Sequence, residues 1–164
     1  MRALLMIPML ATLLFAAGCQ REATDYISVN GKVFIFNIRY ARAFYMLTLN
    51  RLPATPDDAV VVAEFENPAG GPPLVKEQKV FPKMARIDLQ SPDVDCVVTG
   101  KPYKIHIVLK SADGETLQTI DTTLNSTLDS TMLPASALVE GPAYDKTKDA
   151  YNPDGTIRFR KKCS

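Results

Sequence analysis

The stretch "KPYKIHIVLKSADGETLQTIDTTL", residues 101–124, constrains the fold more than any other part of the chain. Tyr103, Ile105, Ile107 and Leu109 alternate with Lys104, His106 and Lys110. That two-residue period places the apolar set on one face of a strand and the polar set on the other. Ala112-Asp113-Gly114 supplies a turn, with Gly114 suited to positive φ, and Leu117 and Ile120 begin a returning strand with looser alternation. The expectation is an antiparallel hairpin with one wet face, a geometry that belongs to all-β domains rather than to parallel α/β folds.

The rest of the chain repeats that grammar. "YISVNGKVFIF" carries Asn30-Gly31 between two β-rich arms and predicts a hairpin, with Phe34, Phe36, Ile38 and Tyr40 on one face of its second arm. In "ARAFYMLTLNRL", Ala43, Tyr45, Leu47 and Leu49 also fit helical spacing, but the aromatic and β-branched surroundings favour a strand. "DDAVVVAEFENP" reads as a short buried strand, "NPAGGPP" as a loop, and "LVKEQKVF" and "ARIDLQS" as two more strands. The segment "DTTLNSTLDSTMLP" extends the returning strand before a loop, "GPAYDKTKDAYNPDG" is irregular surface, and "TIRFRKKC" predicts a last short edge strand whose charges guard the edge.

Many short strands in about 140 residues predict an antiparallel β-sandwich or a small barrel. Tyr103, just ahead of an alternating strand, resembles the tyrosine corner of immunoglobulin-like and fibronectin-like sandwiches. The chain has no Trp, so the antibody-type core signature is missing.

The amino terminus speaks to address rather than fold. Arg2 precedes an apolar run from Ala3 to Ala17, broken only by Thr12. The run is signal-peptide length and shorter than the roughly 20 residues a membrane-spanning helix needs. Ala16, Ala17 and Gly18 then lead into Cys19. This resembles the lipobox of bacterial lipoproteins, although Ala16 stands where that family usually has Leu. The resemblance covers only the first 20 residues or so. It implies that residues 1–18 are a signal peptide, that the Cys19 thiol takes diacylglycerol, and that 19–25 are a lipid-anchored tether to one domain at 26–164. Because Gln20 is not Asp, it further implies an outer-membrane anchor with the domain facing the periplasm. A plain secreted protein, with Cys19 in a disulfide, is the alternative reading.

Two cysteines remain, Cys96 and Cys163. In an oxidising compartment an even pair predicts a disulfide, against the alternative of two separate buried thiols. Neither belongs to a CxxC motif, which speaks against redox catalysis. Lys plus Arg number 19 and Asp plus Glu 18; loss of Arg2 with a signal peptide balances them. So even a balance argues against a nucleic-acid partner.

Chemistry-bearing patterns are sparse. His106 is the only histidine, on the polar face of its strand, which makes zinc and a Ser-His-Asp triad improbable. No G-x-S-x-G elbow or phosphate loop occurs. Carboxylate pairs occur at Asp57-Asp58, Glu64/Glu66 and Asp93/Asp95. Glu64 and Glu66 share a strand face that could hold a cation or serve a glycosidase but reads as a solvated face. Asp93 and Asp95 flank Val94 in a turn-like segment without a calcium-loop pattern, so no catalytic residue, metal site or cofactor is expected. Phe34, Phe36, Tyr40, Phe44 and Tyr45 crowd into twelve residues; they fill a core or, where exposed, form a partner-binding patch. The resulting expectation is a non-enzymatic, lipid-anchored periplasmic lipoprotein that binds or positions another envelope protein. The alternative is a binding module for a lipid or glycan.

Overall fold

The computed structural model describes residues 25–163. Expectations for the signal peptide, Cys19 and most of the tether lie outside the described residues. Seven strands carry the fold: β1 Ile27–Asn37, β2 Arg42–Arg51, β3 Val60–Phe65, β4 Leu74–Lys79, β5 Arg86–Gln90, β6 Pro102–Lys110 and β7 Thr116–Asn125. They form a three-stranded sheet, ordered β1-β2-β5, and a four-stranded sheet, ordered β4-β3-β6-β7. Every pairing is antiparallel. The two sheets pack face to face as a sandwich, and among the described residues no barrel closes.

Alternation decides what lies between the sheets. Ala43, Tyr45, Leu47 and Leu49 from β2 are fully buried against Tyr103, Ile105, Ile107 and Leu109 from β6. An aromatic cluster fills one end of this core. The Phe34 and Tyr45 ring centres lie 4.3 Å apart, Tyr45 and Phe65 4.9 Å, and Phe34 and Tyr103 5.4 Å. Such rings need a route to water or a partner for any polar tip. Tyr45 donates its hydroxyl proton to the Glu66 carbonyl at 2.7 Å. Burial, then the Glu66 carboxylate, pushes its phenol well above the ordinary tyrosine value. The Tyr103 hydroxyl accepts the Val98 N–H at 2.8 Å, which is the tyrosine corner its position suggests.

The β6–β7 hairpin forms as expected, with Gly114 at φ +88°. The Asn30-Gly31 pair does not make a hairpin. β1 runs through it, pairing along its length with β2, and the register slips between Val29 and Gly31. Both arms find the same partner strand, so the extra residue becomes a β-bulge instead of a turn. β1 then stops at Asn37, and Ile38 to Ala41 form the β1–β2 turn. Ile38 and Tyr40 therefore leave the strand face they were expected to share with Phe34.

The carboxy-terminal segment also departs from expectation. It contains 3₁₀ turns at Ser130–Met132 and Lys148–Ala150 and a small hairpin of β8 (Val139–Glu140) and β9 (Asp145–Lys146). "TIRFRKKC" joins neither main sheet; Ile157 bridges Tyr151 and Phe159 bridges Pro134 singly. With only two apolar side chains on one face, the segment lacks the alternation that would seat it on a core. It instead caps one end of the sandwich. Leu138 donates its N–H to the Arg39 carbonyl at 2.8 Å. Arg160 reaches both the Ala41 carbonyl and the Asp95 carboxylate. Cys163 closes the cap with a disulfide to Cys96, their Cα atoms 5.5 Å apart.

Candidate functional site

The sandwich has two chemically different ends. At one end lie the start of β1, the β2–β3 loop, the turn after β4 and the Gly114 turn. Arg51, the β2 residue opposite Ile27, ties this end together through the Phe81 carbonyl and Asp57. Asp25, the first described residue, belongs here. The opposite end carries the β1–β2 turn, the β5–β6 loop and the carboxy-terminal cap. β1 separates the two by 11 residues, roughly 35 Å at the usual rise of a strand.

The twelve-residue aromatic crowd divides between core and surface at this second end. Phe34 and Tyr45 are buried, so they cannot meet a partner directly. Their alternation with neighbours aims them between the sheets. Phe36 is half-buried against the core. Phe44 is half-buried too, but it projects from the face of β2 opposite Tyr45. Tyr40 alone keeps substantial exposure, at 40%. It has a companion that sequence spacing does not reveal: Tyr144, 55% exposed, brought in from the β8–β9 turn. The Arg39 guanidinium stands over the Tyr144 ring, 5.6 Å from its centre. Partial desolvation, reinforced by the Tyr144 hydroxyl, raises the Tyr40 phenol above its ordinary value. Ile38, 42% exposed, comes from the same turn. Two tyrosines and an arginine thus meet at one edge, with Ile38 exposed in the same turn.

This edge is built on a strained but pinned backbone. Ala41 and Tyr144 both adopt positive φ, at 50° and 58°. Ala41 follows the Tyr40 turn and its carbonyl is held by Arg160; Tyr144 closes its own turn by donating its N–H to the Gly141 carbonyl. Non-glycine residues persist at positive φ only where the surroundings hold them.

A second feature lies on the outer face of the four-stranded sheet. Glu64, His106 and Asp121 are cross-strand neighbours on β3, β6 and β7. His106 Nδ1 lies 2.7 Å from Asp121 Oδ1. Beside that row, Glu66 accepts the Lys104 N–H at 3.0 Å and pairs with Lys101 at 3.5 Å. A depression of about 540 Å³ runs along Glu64, Glu66, Lys104 and His106. It is open and charged, unlike a pocket that would strip a substrate of water. The other acidic pairs are occupied as ion pairs: Asp57 with Arg51, Asp58 with Lys79, Asp93 with Arg42 and Asp95 with Arg160. Among the described residues, no three His, Cys, Asp or Glu side chains converge in a manner suited to a metal ion.

No protein-family model matches this chain, and none of the curated proteins compared with it matches.

Proposed function

We propose that this is a non-enzymatic, lipid-anchored periplasmic module that binds or positions another envelope protein through its Tyr40–Tyr144 edge. The observation that carries the reading is the pairing of Tyr40 with Tyr144 under Arg39, exposed at the end of the sandwich away from Asp25. Tyrosine and arginine are the side chains that most often dominate protein–protein interfaces. Rigid rings on a pinned turn lose little conformational freedom when covered. An anchor on Cys19 would tie the Asp25 end to the outer membrane and turn the tyrosine edge toward the periplasm. Multiple acyl chains, each contributing about 0.8 kcal/mol per buried CH₂, would hold it there stably.

The lipid- or glycan-binding alternative draws less support. The space between the sheets is filled by packed side chains, and the outer depression is open and charged.

Two experiments test the proposal. Cys19→Ser should abolish metabolic labelling with a fatty acid and release the protein from membranes; retention at the mature mass would refute the anchor. Tyr40→Ala combined with Tyr144→Ala should preserve membrane association and melting temperature. It should nevertheless lose the adducts that an amine-reactive crosslinker forms in native envelopes. Unchanged adducts would refute the docking edge.

A further inference from the structure

A sandwich of two open sheets has four edge strands, and three of them are guarded. β4 is six residues long and carries Lys76, Glu77 and Lys79. β5 has five residues, including Arg86 and Asp88. β1 is interrupted by its bulge at Asn30 and carries Lys32, whose ammonium bonds the Thr122 hydroxyl across the gap between sheets. Short length, charge and bulges are the ordinary devices that stop a foreign strand from pairing. β7 is bulged at its start, where Leu117 stands outside the pairing with β6, and Lys32 reaches its Thr122 hydroxyl, but from Thr119 to Asn125 β7 itself carries neither bulge nor basic residue. It spans ten residues with no Lys, Arg, Pro or Gly, and its only charge is Asp121. Among the described residues β7 pairs only with β6, and no backbone hydrogen bond reaches its other side.

We infer that β7, from about Thr119 to Asn125, is a site of β-strand addition. Its occupant is an extended segment of another protein, rich in β-branched residues, with one arginine or lysine facing Asp121. Main-chain hydrogen bonds would provide affinity and the outward side chains selectivity. The charge follows from the row already on the outer face. Glu64, His106 and Asp121 run acid, base, acid across three strands, and a cation continues the alternation where like charge is unfavourable. A depression of about 610 Å³ lined by Lys104, His106, Asp121 and Thr123 lies beside this row and leaves room for an outward-facing side chain.

A second copy of this chain is the poorer occupant. Directly opposed residues of an antiparallel pair share a sheet face. The two registers that overlap β7 most fully with itself therefore set Asp121 opposite its own copy or diagonal to it. Those positions lie about 4.5–8 Å apart. The inference is independent of the tyrosine edge and of any membrane anchor, so either can fail alone.

The test uses the detergent-solubilised full chain and three nine-residue peptides. The first alternates threonine and valine around a central arginine. The second replaces that arginine with glutamate, and the third replaces two valines of the first with proline. The arginine peptide should slow amide exchange at Thr119–Asn125 at least tenfold and bind at least tenfold more tightly than the glutamate peptide. The proline peptide should not bind. Asp121→Arg, an exposed change expected to leave the melting temperature alone, should reverse the charge preference. Protection falling on β4 or β5, equal affinity for the two charged peptides, or no protection of β7 would overturn the inference. So would protection that appears without peptide as the protein is concentrated.

Discussion

The side-chain amide of Gln118 grips the backbone of Ile27 from both sides: Oε1 accepts its N–H at 2.8 Å and Nε2 donates to its carbonyl at 2.9 Å. The same Oε1 accepts the Tyr26 N–H at 2.8 Å. Gln118 belongs to β7 and Ile27 to β1, so one side chain spans the two sheets where the chain enters the sandwich. Gln118→Leu keeps the bulk and removes these bonds. With the Ile27 groups left partly desolvated, it should cost about 1–3 kcal/mol. The midpoint of urea unfolding should fall with an unchanged slope; an unchanged midpoint would show that water replaces the amide fully.

The Cys96–Cys163 disulfide closes a separation of 67 residues. The chain-entropy treatment gives such a loop roughly 4 kcal/mol. Cys96→Ser with Cys163→Ser should lower stability by about that amount. It should also make Arg158, Lys161 and Lys162 the first sites cut by trypsin, since little apolar surface holds the segment. Equal resistance in both proteins would mean that Arg160 and the single bridges suffice.

Gly114 sits at φ +88°, in open space where an added Cβ meets nothing within 4 Å. Any cost of Gly114→Val is therefore backbone strain rather than collision. Strain of that kind is about 1–2 kcal/mol for an ordinary residue, and β-branching adds to it. A melting temperature equal to the parent's would show that the turn rearranges freely.

The cap is expected to loosen in acid. The Thr131 hydroxyl, then the Thr131 N–H, holds the Asp129 carboxyl below its ordinary 3.8. The Thr156 hydroxyl and N–H do the same for Asp154. A group whose pKa is lowered by folding stabilises above its unfolded value, and that contribution fades as pH falls through the lower folded value. The amide signals of Thr131 and Thr156 should therefore hold steady from pH 6 to about 4 and move only below it. Movement centred above pH 4 would contradict those two assignments.

The β6–β7 hairpin and the inward set of β2 were legible because a two-residue period over eight or more positions leaves one way to bury the apolar side chains. Asn30-Gly31 misled because a turn dipeptide and a bulge share residue types; only the partner strand distinguishes them. The cap was illegible for a different reason. Its bonds run from Arg160 to Ala41 and Asp95, and from Leu138 to Arg39, across distances that local periodicity does not register. Tyr144 shows the consequence: it looks like a residue of an irregular loop until the cap sets it beside Tyr40. The disulfide needed no geometry to foresee, only the two cysteines left once Cys19 is set aside as an anchor and the oxidising compartment that the amino terminus leads one to expect.

The tyrosine edge is tested most directly by a photoreactive phenylalanine analogue placed at Tyr144, with the same probe at Phe81 as control. Phe81 is 49% exposed at the Asp25 end. Irradiation of intact envelopes should give a discrete adduct of one mass from position 144 and none from position 81. Arg39→Glu should remove the adduct without changing the melting temperature. Adducts of equal yield from both positions, or an adduct at 144 that survives Arg39→Glu and Tyr40→Ala together, would contradict the proposal that this end of the sandwich binds a protein.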